Sequence, residues 1–211
     1  MENYDSGFTI DSSSLHSDID GIPLGELKNG SKKLYLKPDV SEIREMAWLK
    51  NKSYLIMGDV MNSKDNKPYA FSPRNILKAK VEEMNKTGFL VKGASELEFF
   101  LYNKKYNENY SKGLTRMKEF GSHAEDYLIQ QGDRFEHIYE KFRTKLRDSG
   151  VAVESMKGEA SIGQHEINIA FNEPVNMSDS VLVLKSVKFN FLFLVSEMHC
   201  GPEQHYDYFH G

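Results

Sequence analysis

Residues 95–101 have the sequence Ser95-Glu96-Leu97-Glu98-Phe99-Phe100-Leu101, and this stretch predicts a β-strand. Alternate side chains of a strand point to opposite faces, so Glu96 and Glu98 share one face while Leu97 and Phe99 share the other. Two like charges on one face repel each other, yet solvated surface strands also carry such pairs. The stretch alone therefore leaves two interpretations open, a solvated sheet surface and a functional acidic site.

A second acidic stretch, Gly158 to Ile167, predicts a β-hairpin. If the chain turns at Ile162-Gly163, Glu159 lies directly across from Glu166, with both side chains on one face. Opposed carboxylates repel each other, and a hard divalent cation such as Mg²⁺ or Mn²⁺ would convert that repulsion into coordination. An exposed hairpin that merely carries acidic side chains is the other interpretation.

Helix signals surround these two stretches. Ser72 and Pro73 predict a helix start, and Gly88 predicts its end, with an apolar face formed by Ile76, Leu77, Val81 and Met84. A second helix with a buried face is predicted to end at Gly150, from the spacing of Phe135, Ile138, Phe142 and Leu146. Ser178-Asp179 predicts the cap of a final helix that begins at about Ser180.

Short β-type runs lie between the helices, at residues 34–36, 53–57, 89–91, 97–102, 151–154 and 166–171. The first two predict a small sheet with antiparallel connections, and Pro38-Asp39 and the segment around Trp48 separate them. Residues 103–121 predict a long loop, which is either functional or loosely ordered. Strands that follow helices in this order indicate the α+β class.

Composition indicates a soluble protein in a reducing compartment, and we expect it in the cytoplasm. Apolar residues make up 39% and charged residues 27%, which is typical of a globular domain. The net charge of −4 gives no reason to expect nucleic acid as a partner. Cys200 has no second cysteine with which to form a disulfide, and no signal sequence follows Met1. The apolar run Val181 to Val195 is too polar and short to span a membrane.

The chain's end contains a cysteine and several histidines. Their spacing fits no compact zinc-finger pattern, so a disordered tail at 196–211 is the favoured interpretation over a zinc site formed by His199, Cys200, His205 and His210.

The two acidic stretches resemble the glutamine synthetase family, which has a Glu-x-Glu strand and a hairpin of the form Glu-(spacer)-Gly-Gln-x-Glu. The resemblance covers roughly residues 7 to 188. Further motifs lie in the order expected for the stretch that leads from the family's β-grasp domain into its catalytic domain: Lys37-Pro38-Asp39, Trp48, Asp59 and Ser72-Pro73-Arg74-Asn75. The residues of these motifs are most similar to those of the branch that includes γ-glutamyl-amine and γ-glutamyl-polyamine ligases.

The resemblance implies a fold and an activity. The expected fold is a partial β-grasp domain at 1–70, followed by an incomplete catalytic α+β sheet domain at 71–195. The implied reaction is ATP-dependent ligation of ammonia or an amine to the γ-carboxylate of glutamate. ATP is the co-substrate, the implied metal is Mg²⁺ or Mn²⁺, and the family forms homo-oligomers.

Carried over by motif, the resemblance implies that Glu98, Glu159 and Glu166 form one metal site and that Glu96 contributes to a second.

Three further positions match the family. Glu154 matches a nucleotide-binding position, and Phe171 matches an aromatic position near adenine, although a core strand residue is the alternative for Phe171. Asp11 matches a loop that reaches into a neighbouring subunit and helps bind ammonium, but Ile10 and Ser12 replace the usual Phe and Gly of that loop.

The sequence also departs from the family. Ile162 replaces the usual proline or alanine before Gly-Gln. We expect the chain to lack the start of the β-grasp domain and, after Lys188, the segment with the substrate-binding arginines, so that it is not competent alone. The alternatives are a non-catalytic binding or assembly module and a truncation product without a stable fold.

Overall fold

Each of the two units into which the chain folds has its own β-sheet. In the computed structural model the described residues are 7–18, 20–22, 24–25, 32–102, 118–194 and 199–200. Unit 1 comprises Met1–Arg44 and Tyr54–Val91, and unit 2 comprises Glu45–Ser53 and Lys92–Gly211. The mixture of helices with small sheets agrees with the predicted combination of helices and strands.

The sheet of unit 1 has three strands in the order β1-β2-β3. They are β1 (Phe8–Asp11), β2 (Lys33–Glu45) and β3 (Tyr54–Asn62), and β1 is antiparallel to β2. The segment around Trp48 separates β2 from β3 as predicted, but the separation predicted at Pro38-Asp39 is wrong, because β2 continues through both residues. The pairing with β1 ends at Leu36, so the N–H that proline lacks is not needed for that pairing. Leu34, Val60 and Tyr69 form a small buried core in unit 1.

Helix α1 (Pro73–Lys86) has the predicted start and end. Gly88 has a φ of +87°, and the amide of Phe89 donates to the carbonyl of Met84 at 3.2 Å. The predicted strand at 89–91 is wrong, because these residues form no strand, and the Phe89 amide serves to close the helix.

The predicted apolar face of α1 is buried only in part: Leu77 and Val81 are half-buried, and the fully buried position of the helix is polar. Ile76 and Met84, on the predicted buried face, are exposed. The buried position is Asn75, whose Nδ2 donates to the carbonyls of Val60 and Tyr69 at 2.6 and 3.1 Å. Sequence periodicity therefore located the helix and two half-buried residues of its face, but not the buried Asn75.

The sheet of unit 2 has the order β5-β6-β4-β7, and each pair is antiparallel. Its strands are β4 (Gly93–Tyr102), β5 (Val153–Gly158), β6 (Gln164–Asn172) and β7 (His199–Cys200). The helices are α2 (Ile129–Asp148) and α3 (Pro174–Leu194). Within the described ranges, no helix has both the length and the hydrophobicity that crossing a bilayer requires.

The core of unit 2 lies between one face of this sheet and the two helices. The sheet contributes Leu97, Phe99, Leu101, Ile167 and Ile169, and α2 contributes the predicted set of Phe135, Ile138, Phe142 and Leu146, all of them buried. His165 is also fully buried here, and its Nδ1 lies 2.8 Å from the hydroxyl of Tyr139. Burial lowers the pKa of His165 to about 4, so this core histidine is neutral at physiological pH.

The start of α3 differs from the prediction. The helix begins at Pro174, where a residue without an N–H is well tolerated, and not at about Ser180. Ser178 and Ser180 lie inside it, and their hydroxyls donate to the carbonyls of Pro174 and Asn176 at 2.9 and 2.7 Å. These serines therefore bond within the helix and do not cap it.

Two predicted segments lie largely outside the described residues. The predicted loop at 103–121 is described only from residue 118. Of the predicted tail at 196–211, only His199–Cys200 are described, as the short strand β7, and His205 and His210 lie outside the described residues.

Candidate metal centre

The second face of the unit 2 sheet carries the predicted acidic residues. Glu98 and Glu166 are direct partners on the adjacent strands β4 and β6, and Glu96 is paired with Asn168. The intervening residues, such as Leu97 and Ile167, are buried in the core, so the acidic side chains lie on the opposite face. The strand at 95–101 and the hairpin therefore lie side by side in one sheet, as a shared site requires.

The hairpin has a different register from the predicted one. Lys157, not Glu159, is the direct partner of Glu166, and the amide of Glu159 donates to the carbonyl of Gln164 at 2.9 Å. The connection consequently has four residues, 160–163, rather than two. The shift is an even number of residues, so Glu159 keeps the same face as Glu166 but lies further towards the turn.

Hydrogen bonds in the turn and the backbone conformation of Gly163 explain the longer connection. The amide of Ser161 donates to Gln164 Oε1 at 3.2 Å, and the amide of Gln164 donates to the carbonyl of Ser161 at 3.1 Å. Gly163 has a φ of +73°, which favours glycine. A Cβ at Gly163 would lie 2.8 Å from the carbonyl oxygen of Leu101, so the turn packs against the end of β4.

A lysine lies among the carboxylates. The Nζ of Lys157 contacts Glu159 Oε1, and it lies 3.1 Å from Glu166 Oε2 and 3.8 Å from Asp126 Oδ1. The same ammonium lies 5.0 Å from the centre of the Tyr127 ring. Lys157 was not among the predicted site residues, although its position two residues before Glu159 in a strand places both side chains on one face.

These contacts shift the pKa values of the two carboxyls in opposite directions. Burial raises the pKa of Glu166, which is only 5% exposed, and the hydrogen bond with Glu159 raises it further. The hydrogen bond with Glu166 lowers the pKa of Glu159, and the bond from Lys157 acts in the same direction. Burial disfavours the Lys157 ammonium, but its hydrogen bonds to the two carboxylates outweigh that effect and raise its pKa.

Gln164 connects Glu98 to the hairpin. Its Nε2 donates to Glu98 Oε2 at 2.5 Å, while its Oε1 accepts from the turn. The side chain of Glu98 is exposed, so this bond from Gln164 restricts its position on the sheet surface. Gln164 was predicted only as part of the hairpin motif, and its contact with Glu98 was not predicted.

The carboxylates of Glu98, Glu159 and Glu166 fit a hard divalent cation in their chemistry and in their strand positions. Their oxygens do not yet converge: among the residues that the structure describes, no three His, Cys, Asp or Glu side chains are arranged to hold a metal ion. Lys157 and Gln164 hold these oxygens instead. A metal ion would have to displace Lys157 and Gln164 from these carboxylate oxygens.

The other predicted site residues lie elsewhere. Glu154 is exposed at an irregularity in the pairing of β5 with β6. Phe171, near the end of β6, is 61% exposed and so is not a core residue, and Lys92 Nζ lies 4.9 Å from its ring centre. Asp11 belongs to unit 1, where its Oδ1 accepts from the amide of Ser13 at 2.7 Å and caps a short 3₁₀ turn.

Known proteins with similar sequences are named as synthetases or ligases. The chain is 24% identical over 168 residues to a γ-glutamylethanolamide synthetase of Streptomyces coelicolor and, to the same extent, to a glutamate–isopropylamine ligase of a Pseudomonas species. It is 28% identical over 188 residues to a glutamine synthetase of Methanosarcina mazei. These alignments cover 80%, 80% and 88% of this chain, but only 36%, 36% and 39% of the relatives.

Strands β4, β5 and β6, which carry the acidic face, lie within the part of the chain that matches a known family. Residues 70–191 match the sequence profile of the glutamine synthetase catalytic domain, which is more than half of the 211-residue chain. The matched range contains the Glu98–Glu166 strand pair and the hairpin with Glu159. The chain therefore belongs to the glutamine synthetase family.

Proposed function

We propose that this chain contributes the metal-binding face of an ATP-dependent ligase that joins ammonia or an amine to the γ-carboxylate of glutamate. The observation that carries the proposal is the direct pairing of Glu98 with Glu166, with Glu159 on the same face. The chain spans little more than a third of the length of the relatives that it matches, so the activity is proposed for the whole protein.

Glu98, Glu159 and Glu166 would hold a Mg²⁺ or Mn²⁺ ion, and Glu96 would contribute to a second ion. A bound ion supplies charge neutralisation for the phosphates of ATP and for charge that develops during phosphoryl transfer. The protein's part is to prepare the ligands. Gln164 orients Glu98, and the packing of Gly163 against β4 fixes the hairpin that carries the other two carboxylates.

The nucleotide positions proposed for ATP lie on the β5–β6 hairpin. Phe171 presents an aromatic surface to solvent, and such a surface can stack on an adenine ring. Glu154, also exposed, can accept hydrogen bonds from ribose hydroxyls. In the assembled enzyme we assign Asp11 to ammonium or amine binding across a subunit interface of a homo-oligomer, and unit 1 to a β-grasp-type domain.

Nucleotide binding tests this proposal without requiring turnover. Affinity for a fluorescent, non-hydrolysable ATP analogue is measured by anisotropy with and without Mn²⁺. We expect Mn²⁺ to strengthen binding to the wild-type chain and to have much less effect on Glu98→Gln. Glu140→Gln, which removes an exposed carboxylate from α2, is the control. Identical affinity with and without Mn²⁺ would contradict the proposed role of the acidic face.

A second candidate is a non-catalytic assembly module. It is favoured by exposed apolar side chains at the end of α1 and just after it, where Phe89 is exposed and Leu90 is 86% exposed. Such a patch is typical of a surface that another chain covers. Sedimentation velocity on wild-type and Leu90→Asp chains tests this candidate. Association that the substitution abolishes would support it, and a monomer at every concentration would contradict it.

A further inference from the structure

Lys157 occupies the place in the acidic cluster that suits a cation. Its ammonium contacts one oxygen of Glu159 and lies 3.1 Å from one oxygen of Glu166. Both carboxylates are among the three proposed metal ligands. The lysine is also held by its own strand, because Lys157 is the direct partner of Glu166 across the β5–β6 pairing.

An ammonium and a divalent ion compete for these oxygens. Each requires the carboxylate lone pairs, and an ammonium that remained beside a bound Mg²⁺ or Mn²⁺ would be repelled by it. Because Glu166 is buried, loss of its cation without replacement leaves an unfavourable charge in a poorly solvated place. The two cations are therefore alternatives, and each stabilises the same pair of carboxylates.

A cavity beside Lys157 can accommodate the displaced ammonium. Lys157 lines a cavity of about 250 Å³ together with Glu125, Tyr127 and Met156. Glu125 is buried and its Oε1 accepts from Arg134 at 3.1 Å, but its Oε2 has no hydrogen-bond partner among the described residues. A short movement into this cavity would bring the Lys157 ammonium towards Glu125 Oε2, the oxygen that has no hydrogen-bond partner among the described residues.

We propose that Lys157 is a built-in counter-cation that controls access of metal to this site. Its ammonium neutralises Glu159 and Glu166 in the metal-free protein, and a divalent ion binds by displacing it towards Glu125 and the adjacent Asp126. The inference rests on the proposed metal role of these carboxylates and adds a residue that sets the affinity of the site.

Mn²⁺ binding to the complete chain tests this role, with free Mn²⁺ measured by electron paramagnetic resonance. We expect Lys157→Met to bind Mn²⁺ about tenfold more tightly than wild type, a change equal to about 1.4 kcal/mol. Lys157→Arg keeps the positive charge and should not show this gain. Lys86→Met, which removes an exposed ammonium paired with Glu82 on α1, is the matched control and should equal wild type.

Stability gives a second readout. Without metal, Lys157→Met should unfold at a lower temperature than wild type, because Glu159 and Glu166 lose their cation, and Mn²⁺ should restore more stability to this variant than to wild type. If Lys157→Met does not fold without metal, Lys157→Gln replaces it and is judged by the same two measurements.

Glu125→Gln tests the destination of the ammonium. This substitution should weaken Mn²⁺ binding when Lys157 is present and leave it unchanged in the Lys157→Met background. Equal effects in both backgrounds would overturn the part assigned to Glu125.

The outcomes separate the two proposals. Measurable Mn²⁺ binding that is equal in wild type and Lys157→Met, or weaker in the variant, would overturn the role of Lys157 while leaving the metal site in place. Absence of Mn²⁺ binding from every chain would overturn both the metal site and the role of Lys157.

Discussion

Replacing Gly163 with alanine should destabilise unit 2 through two separable effects. The first is backbone strain, because the φ of Gly163 is +73° and an L-residue in this region costs about 1 kcal/mol. The second is steric. The new Cβ would lie 2.8 Å from the carbonyl oxygen of Leu101 and 3.2 Å from the amide nitrogen of Phe120, and these backbone atoms cannot rotate away.

Forcing an extra methyl group into such a contact costs about 1 to 3 kcal/mol, so the total expected for Gly163→Ala is about 2 to 4 kcal/mol. Gly150→Ala isolates the backbone part. Its φ is +76°, almost the same as that of Gly163, but no atom lies within 4 Å of the added Cβ. We therefore expect a loss of only about 1 kcal/mol for Gly150→Ala.

The assay is urea unfolding followed by the fluorescence of Trp48. This residue is the only tryptophan of the chain, and it is buried in unit 2, so its signal reports on the unit that contains both glycines. Equal losses of unfolding free energy in the two variants would refute the argument that the hairpin turn packs tightly against β4.

Three further substitutions have expected outcomes in the same unfolding assay, with circular dichroism as the signal where unit 1 is concerned. Phe142→Ala removes a fully buried ring from α2 and should cost about 3 to 5 kcal/mol, whereas a loss under 1 kcal/mol would contradict the described core. Tyr139→Phe leaves the buried His165 without its hydroxyl partner and should cost about 1 to 3 kcal/mol; unchanged stability would show that this bond contributes nothing. A hydrogen bond from Ser41 is the main cause that lowers the pKa of Asp39 from 3.8 to about 2. The stabilisation from Asp39 is therefore present above pH 3.8 and is lost as the pH falls towards about 2, so Asp39→Asn should show a smaller acid-induced loss than wild type, and identical pH profiles would contradict this.

Sequence periodicity predicted the parts of the fold that are controlled by local patterns. The spacing of Phe135, Ile138, Phe142 and Leu146 gave the buried face of α2 because an apolar stripe at helical period must face a core. The same reasoning succeeded only in part for α1, where Leu77 and Val81 are half-buried. The fully buried residue is Asn75, which donates to two backbone carbonyls. A polar contact of this kind has no periodic signature.

The candidate site was predictable to the level of strands but not of contacts. Alternation placed Glu96 and Glu98 on one face of their strand, and the family motifs brought that strand together with the hairpin that carries Glu166. The hairpin register was wrong because hydrogen bonds between Ser161 and Gln164 select a four-residue connection, and a glycine before Gln164 does not reveal them. Lys157 was not predicted as part of the site, because Asp126 is distant from it in sequence and the wrong register paired Glu166 with Glu159; only its position two residues before Glu159 indicated a shared face.

The central claim is that carboxylates from β4 and from the β5–β6 hairpin hold one divalent ion. Titration of Mn²⁺ against the wild-type chain and against Glu159→Gln tests it most directly, with Glu140→Gln as the control from α2. We predict one ion per wild-type chain and unchanged binding by the control. Glu159→Gln should bind at least about tenfold more weakly, because loss of a residue that only hydrogen-bonds to a metal ligand already costs about this much. Equal affinity of Glu159→Gln and wild type would contradict the claim.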